Sequence, residues 1–540
     1  MADKNILIFP QERATSYIDK IEEIDLLIVD EFYKASSHFD KERSSSLLKA
    51  IIKLSKKANQ RYFLAPNIHE IKDNVFTKGM RFVEMLDFNT VFLEKHDIYK
   101  EINKDEELKT RALLKILDSK RTKSLIYAGT YTNIDTLSTI LTVHREPLNN
   151  PLLDSFAAWL STNYSPHWPL VNLVRRGTAI HNGQLHRSIS QIQVKLFDEE
   201  EGFDNIISTS SIIEGVNTSA ENVILWKNKL GARSLNDFTY KNIIGRGGRM
   251  FRHFIGKIYL LEAPPKEETT QLEIPFPDEI LGDLDEVRYS DSLTNEQVSK
   301  IIAFRDEMYG LIGKPAYDRL KKENVFQISN SEFIKTVARG MKDNPDEWNG
   351  LAYLNSDDPE SWGRLLYKII VLQPGGWDAQ YRKVVAFIKA ISKNWTATIP
   401  ELLEELDEHD IGIDLFFKLE RVVSFKFSAV LSDVNELQKE IINKGVDVAP
   451  FISKLSHAFL PSAVYQLEEY GLPRMVSKKL QRNNVINFMD DTLTLDMAIR
   501  VFQRLGKERV LATPTLDSFD KYILEFFYDG ITIDKCAQAA

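Results

Sequence analysis

The segment Asn242-Ile243-Ile244-Gly245-Arg246-Gly247-Gly248-Arg249 places two arginines three positions apart among glycines. A guanidinium is permanently charged and meets phosphate oxygens with a planar fork, so the pair suits charge building up in phosphoryl transfer. The glycines let backbone approach closely. A basic turn after a surface helix would use the same residue types. Far upstream, Asp30-Glu31 ends the run Ile24-Asp25-Leu26-Leu27-Ile28-Val29. Open α/β sheets collect ligands at the carboxyl ends of their strands. There the first carboxylate can hold magnesium through its water shell, and the second can orient and deprotonate an attacking water. A strand running into an acidic loop leaves the same dipeptide. A third segment, Ser208-Thr209-Ser210-Ser211-Ile212-Ile213-Glu214-Gly215-Val216-Asn217, offers hydroxyls and amides at a strand-to-helix junction. Such a junction binds phosphates, and its hydroxyls also serve as ordinary helix caps.

These residues need a scaffold of alternating strands and helices. Ile6–Phe9, Leu26–Val29 and Tyr62–Ala65 read as buried parallel strands, and the apolar spacing over 44–58 predicts a helix. Strands are expected at 124–128, 178–180, 205–208, 223–226 and 257–261, with a helix at 191–197. Strands alternating with helices imply crossover units and a parallel sheet covered on both faces. The proline-rich, acidic stretch after Ala263 reads as a linker. From about residue 291 the pattern is helical, with amphipathic runs near 294–309, 379–394, 413–430, 434–444 and 494–505.

Composition sets outer limits. A chain of 540 residues divides into several cores. One cysteine, Cys536, excludes an internal disulfide framework and a thiolate zinc cluster, and fits a reducing cytoplasm. No apolar run reaches the length of a membrane span, about 20 residues. The net charge of −9 decides nothing about nucleic acid, because phosphate binding depends on local patches.

In order and spacing, the segments resemble the motifs of superfamily 2 helicases of the DExH type, in the Ski-like branch. Asp30-Glu31-Phe32-Tyr33 resembles motif II, and Phe9-Pro10-Gln11-Glu12-Arg13 resembles motif Ib. Ser124–Ala128 fits motif IV, and Ala179-Ile180-His181-Asn182-Gly183 resembles the "HHAGL" segment. Thr209 through Ala220 resembles motif V, and Asn242–Arg249 resembles motif VI. The resemblance implies an α/β fold of two RecA-like parallel-sheet domains, the first incomplete, followed by a mostly helical C-terminal domain. By this reading residues 1–104 are the partial first domain, 105–262 the second, 263–290 a linker and 291–540 a helical accessory domain.

Carried over by position, the resemblance makes Asp30 the carboxylate that holds Mg2+ through water and Glu31 the general base. Arg246 and Arg249 become arginine fingers toward the γ-phosphate of ATP. Gly215, Asn217, Asn242 and Gly245 fall beside the nucleotide, while Pro10, Arg13, Thr209 and Ser210 touch a nucleic-acid backbone. The implied function is an ATP-dependent nucleic-acid helicase or translocase acting on single-stranded or partly duplex nucleic acid, with no membrane partner. The alternative is a catalytically inactive module that binds nucleic acid or a partner protein.

Several positions depart from the family pattern. Asn242 stands where the family has Gln, Leu64-Ala65-Pro66 where it has "S-A-T", and His181-Asn182 where it has paired histidines. No G-x-x-x-x-G-K-[ST] loop occurs in the sequence, although the family carries one before motif Ib. The expectation is a first motor domain lacking its N-terminal part and exposing a sheet edge and apolar faces.

The stretch from Leu460 to Arg474, continuing to Lys478-Lys479-Leu480, resembles helical segments near the ends of Ski-type helicases. It also resembles the helicase of Hachiman-like phage-defence systems, which implies a partner protein such as a nuclease. Arg474, Lys478, Lys479 and Arg482 read either as phosphate contacts or as a solvated basic face. Trp348, Trp362, Trp377 and Trp395 read as core.

Overall fold

The structure, a computed structural model, describes residues 5–41, 43–85, 91–118, 122–213, 220–248, 255–275, 293–322, 331–373, 375–377, 379–442, 446–490 and 492–532. The strands among them are β1 (Ile24–Val29), β2 (Ala58–Phe63), β3 (Glu70–Ile71), β4 (Phe92–His96), β5 (Ser124–Tyr127) and β6 (Thr178–His181). They continue with β7 (Asn205–Ser208), β8 (Asn222–Leu225), β9 (Lys229–Leu230), β10 (Arg233–Ser234), β11 (Ile255–Leu260) and β12 (Gln271–Leu272). The chain forms two compact units, each drawn from separate stretches of sequence.

One unit comprises Met1–Phe88, Glu268–Asn355 and Ala429–Pro450. Here β1 and β2 pair in parallel, Ile28 opposite Tyr62, joined by the crossover helix Ser44–Ser55. That helix buries Leu48, Ile51 and Ile52, and it packs against both strands. Side chains alternate along a strand. Val29 is buried, but Leu26 and Ile28 face the other way and are 46% and 57% exposed, beside Tyr62 at 58%. The expectation of strands buried on both faces fails here, because one face of this two-stranded sheet carries no covering element among the described residues. The strand expected at Ile6–Phe9 is absent as well. Those residues pair with no strand, and Ile6 and Ile8 lie in solvent up to Pro10, which precedes the helix Gln11–Tyr17. Within the expected linker, β12 pairs in parallel with β3.

The other unit comprises Asn89–Glu267, Ser356–Ser428 and Phe451–Ala540. Its core is a six-stranded parallel sheet in the order β4-β11-β8-β5-β7-β6. Every residue of β5, β6, β7 and β8 is buried, as a sheet layered by helices on both faces requires. Residues 92–96 add an edge strand upstream of 105 that the sequence pattern did not signal. The chain leaves β7 and returns as β8 on the far side of β5, so the segment after Ser208 departs from a topological switch point.

No strand occurs beyond residue 293 among the described residues, so the fold class is as expected: parallel α/β followed by a helical region. The helices Asn295–Ile312, Tyr381–Lys393 and Leu495–Leu505 match their amphipathic runs, and Trp348, Trp362 and Trp377 are core. Trp395 is half-buried, its indole donating to Met489 Sδ. Among the described residues no helix is long and apolar enough to cross a membrane.

Candidate functional site

Asp30 and Glu31 stand at the carboxyl end of β1, where the strand pattern put them. Leu64 is hydrogen-bonded to Val29 on one side and to Phe32 on the other, so the end of β2 frames the pair. Glu31 adopts a left-handed backbone, φ 52°, in a region a residue with a Cβ rarely occupies. Its N–H donates to Asp30 Oδ1 at 2.8 Å, and its carboxylate meets the Lys34 ammonium at 2.7 Å. Asp30 is exposed. A single exposed carboxylate fits a magnesium ion that keeps most of its own waters. In the same unit Pro10 caps the helix Gln11–Tyr17 and Arg13 projects from it into solvent.

In the other unit β6 and β7 end level, His181 opposite Ser208. Ser208 Oγ donates to the Thr209 carbonyl at 2.8 Å, and the tight turn Ser210–Ile213 follows. Ser211 Oγ lies 3.1 Å from His181 Nδ1 and 3.4 Å from Thr209 Oγ1. His181 and Thr209 are each 8% exposed, and burial pushes the His181 imidazole down to about 4, so it is neutral near pH 7. Gly215 and Asn217 lie outside the described residues.

The glycine-arginine segment packs on β8 and β11, on the far side of β5 from β7. The helix Asp237–Ile244, capped by Asn236, carries half-buried Asn242 and ends at Gly245, with Arg246 also half-buried. Gly248 donates to the Ala220 carbonyl at 2.9 Å, just before β8 begins. A Cβ on Gly247 would stand 2.9 Å from Ile258 Cδ1 and 3.2 Å from Val223 Cγ2, and one on Gly256 would stand 2.5 Å from the Gly247 carbonyl carbon. Gly248 has φ +74°. Close packing on β8 and β11 therefore demands these glycines, whatever phosphate they meet. Arg249 lies outside the described residues. The helix Asp237–Ile244 also packs against the turn Ser210–Ile213, which links the two segments.

Two features of this unit escaped the sequence reading. The loop after β6 is gripped by the helix Ile413–Arg421: Arg421 donates to the Gly183 carbonyl at 2.5 Å, and His186 Nε2 lies 3.0 Å from Glu420. Arg474 pairs with both Glu420 and Glu468, all three buried. Burial alone would raise the Glu420 carboxyl, but Arg474 and then His186 hold it well below the usual carboxylate range. Ligand atoms of His186, Glu420 and Glu468 fall within 4.8 Å of one another, yet Arg474 already satisfies both carboxylates, so the cluster is an ion-pair network.

The helix Arg474–Arg482 is consequently neither a phosphate surface nor a solvated basic face. Lys478 is buried with its ammonium on the Ala397 carbonyl, and burial followed by the charge of Arg474 pushes it down to about 7. Lys479 meets Asp520 at 2.5 Å, and Arg482 donates to Thr396. The partners that claim these cations lie up to 86 residues away, beyond the reach of a local charge pattern.

No protein-family model matches the chain. The chain is similar to Anti-bacteriophage protein B of Escherichia coli (strain K12), 27% identical over 526 residues, covering 91% of this chain and 70% of that protein. It is also similar to the Probable ATP-dependent helicase MJ1401 of Methanocaldococcus jannaschii, 32% identical over 106 residues, 18% of this chain and 13% of that protein.

Proposed function

We propose that this chain works as an ATP-dependent nucleic-acid helicase or translocase of the superfamily 2 DExH type, acting in the cytoplasm in defence against bacteriophage. The observation that carries the reading is the glycine-arginine segment locked onto β8 and β11 of a parallel sheet, with Thr209 and Ser210 following β7 on the far side of β5. A motor needs that division: phosphate chemistry on one side, strand grip on the other. Similarity to an anti-bacteriophage protein along 91% of the chain, and to a helicase over 106 residues, supports it.

In this reading Asp30 holds Mg2+ through water, and Glu31 leaves Lys34 to take the proton of the attacking water. Arg246 and Arg249 neutralise charge growing on the γ-phosphate of ATP. Gly215, Asn217, Asn242 and Gly245 line the nucleotide. Pro10, Arg13, Thr209 and Ser210 hold the backbone of a single-stranded or partly duplex nucleic acid without reading its sequence. Motif order divides the chain into a partial first motor domain (1–104), a second (105–262), a linker (263–290) and a helical accessory domain (291–540). A partner nuclease completes the defence function.

A binding-only role is favoured by one observation: Lys34 occupies the carboxylate that hydrolysis requires. Phosphate release and single-strand binding, measured together on the full natural protein, separate the readings. The motor predicts stimulated turnover that Glu31→Gln abolishes while binding persists. Tight binding with no turnover in the wild type favours the binding-only module.

A further inference from the structure

We propose that His181 is a positioning residue for nucleic-acid binding, holding the Ser211 hydroxyl so that the turn after β7 presents Thr209 and Ser210 to a phosphodiester. The inference rests on the strand-binding reading above and names a residue that makes no contact with the strand.

The geometry is local and buried. Pairing of β6 with β7 sets His181 beside Ser208, so its ring faces the turn Ser210–Ile213. Ser211 Oγ has three neighbours: His181 Nδ1 at 3.1 Å, and the His181 carbonyl and Thr209 Oγ1 each at 3.4 Å. A hydroxyl has one proton; the ring takes it where Nδ1 carries the lone pair, and the His181 carbonyl takes it where Nδ1 carries hydrogen. His181 is neutral near pH 7, so one ring nitrogen carries a lone pair. With Nδ1 as that nitrogen, Ser211 donates to the ring and turns its own lone pairs toward Thr209. The Ser208 hydroxyl fixes the other side of the turn through the Thr209 carbonyl. Thr209 is thereby braced from both directions, and the amides that follow it meet a phosphate without first being ordered. Pre-ordering of this kind raises affinity by removing an entropic cost of binding.

The test uses a fluorescent single-stranded oligonucleotide, read by anisotropy, with wild type, His181→Ala, His181→Asn, His181→Gln and Ser211→Ala, each checked by thermal unfolding. Asn sets an amide oxygen where Nδ1 stood, whereas the longer Gln reaches the Nε2 position. His181→Ala and His181→Gln are expected to bind about fivefold more weakly, the equivalent of one net hydrogen bond. His181→Asn stays within about twofold of wild type. Ser211→Ala, which deletes only a hydroxyl, weakens binding by the same factor and adds nothing when combined with His181→Ala. Equal loss in the Asn and Ala variants, or no loss in Ser211→Ala, overturns the positioning role. Wild-type protein that binds no single strand overturns the functional reading itself, and this role with it.

Discussion

The carboxylate of Glu31 and the ammonium of Lys34 meet at 2.7 Å one helical turn apart, with Glu31 held in a left-handed backbone at the end of β1. The strained conformation aims the carboxylate past the strand end, and the lysine clasps it there. Partly exposed pairs of this kind contribute about 0.2–1 kcal/mol. Lys34→Ala is therefore expected to raise unstimulated ATP turnover by about two- to fivefold, measured as phosphate release without nucleic acid. A fall in turnover instead would make Lys34 a phosphate ligand and not a clasp.

Gly247 should tolerate no side chain. Its Cβ would press on Ile258 and Val223 in the middle of the sheet layer, and overpacking of that kind costs about 1–3 kcal/mol. Urea unfolding of Gly247→Ala reads the loss directly. Gly256→Ala, whose Cβ would strike backbone, is expected to cost more. Unchanged midpoints for both would show that the segment does not pack as described.

Lys478 makes stability depend on pH. Its folded value of about 7 lies below the unfolded value of about 10.4, so between them the unfolded chain carries one more proton. Unfolding free energy therefore rises as pH increases through that window, by roughly 2 kcal/mol between pH 7 and pH 9. Urea unfolding at pH 7 and pH 9 should show the rise in wild type and lose it in Lys478→Met. A rise of equal size in the variant would assign it to other groups.

Arg474 holds two buried carboxylates at once. Arg474→Met leaves Glu420 and Glu468 without their guanidinium and should cost about 3–5 kcal/mol. Adding Glu420→Gln and Glu468→Gln should recover much of that, because the uncompensated charges go with them. Failure of the triple variant to recover would point to packing, not charge, as the arginine's contribution.

The six-stranded sheet was legible where β5 to β8 are short apolar runs buried on both faces, and such runs announce themselves. Asn205–Ser208 falls where its pattern put it, and the neighbouring strands agree within a residue or two. Edge positions gave weaker signals. Phe92–His96 joins the sheet through backbone pairing while Glu94 and Lys95 face water, so no apolar run marks it. Ile6–Phe9 shows the reverse error, an apolar run that pairs with nothing described. The basic helix was misread because Glu420 and Asp520 arrive from distant elements. Among candidate site residues, Asp30, Glu31, Thr209 and Ser210 stand at strand ends as expected, whereas the His181–Ser211 contact needed the register of β6 on β7 to become visible.

The central claim is that Arg246 belongs to an ATP-hydrolysing motor and not to a strand-binding surface. Phosphate release from ATP by the full natural protein, with saturating single-stranded nucleic acid, tests it against Arg246→Ala. The account predicts that turnover falls by about 10³-fold or more while single-strand affinity stays within about twofold. Turnover that survives the substitution, or turnover and affinity lost in equal measure, contradicts it.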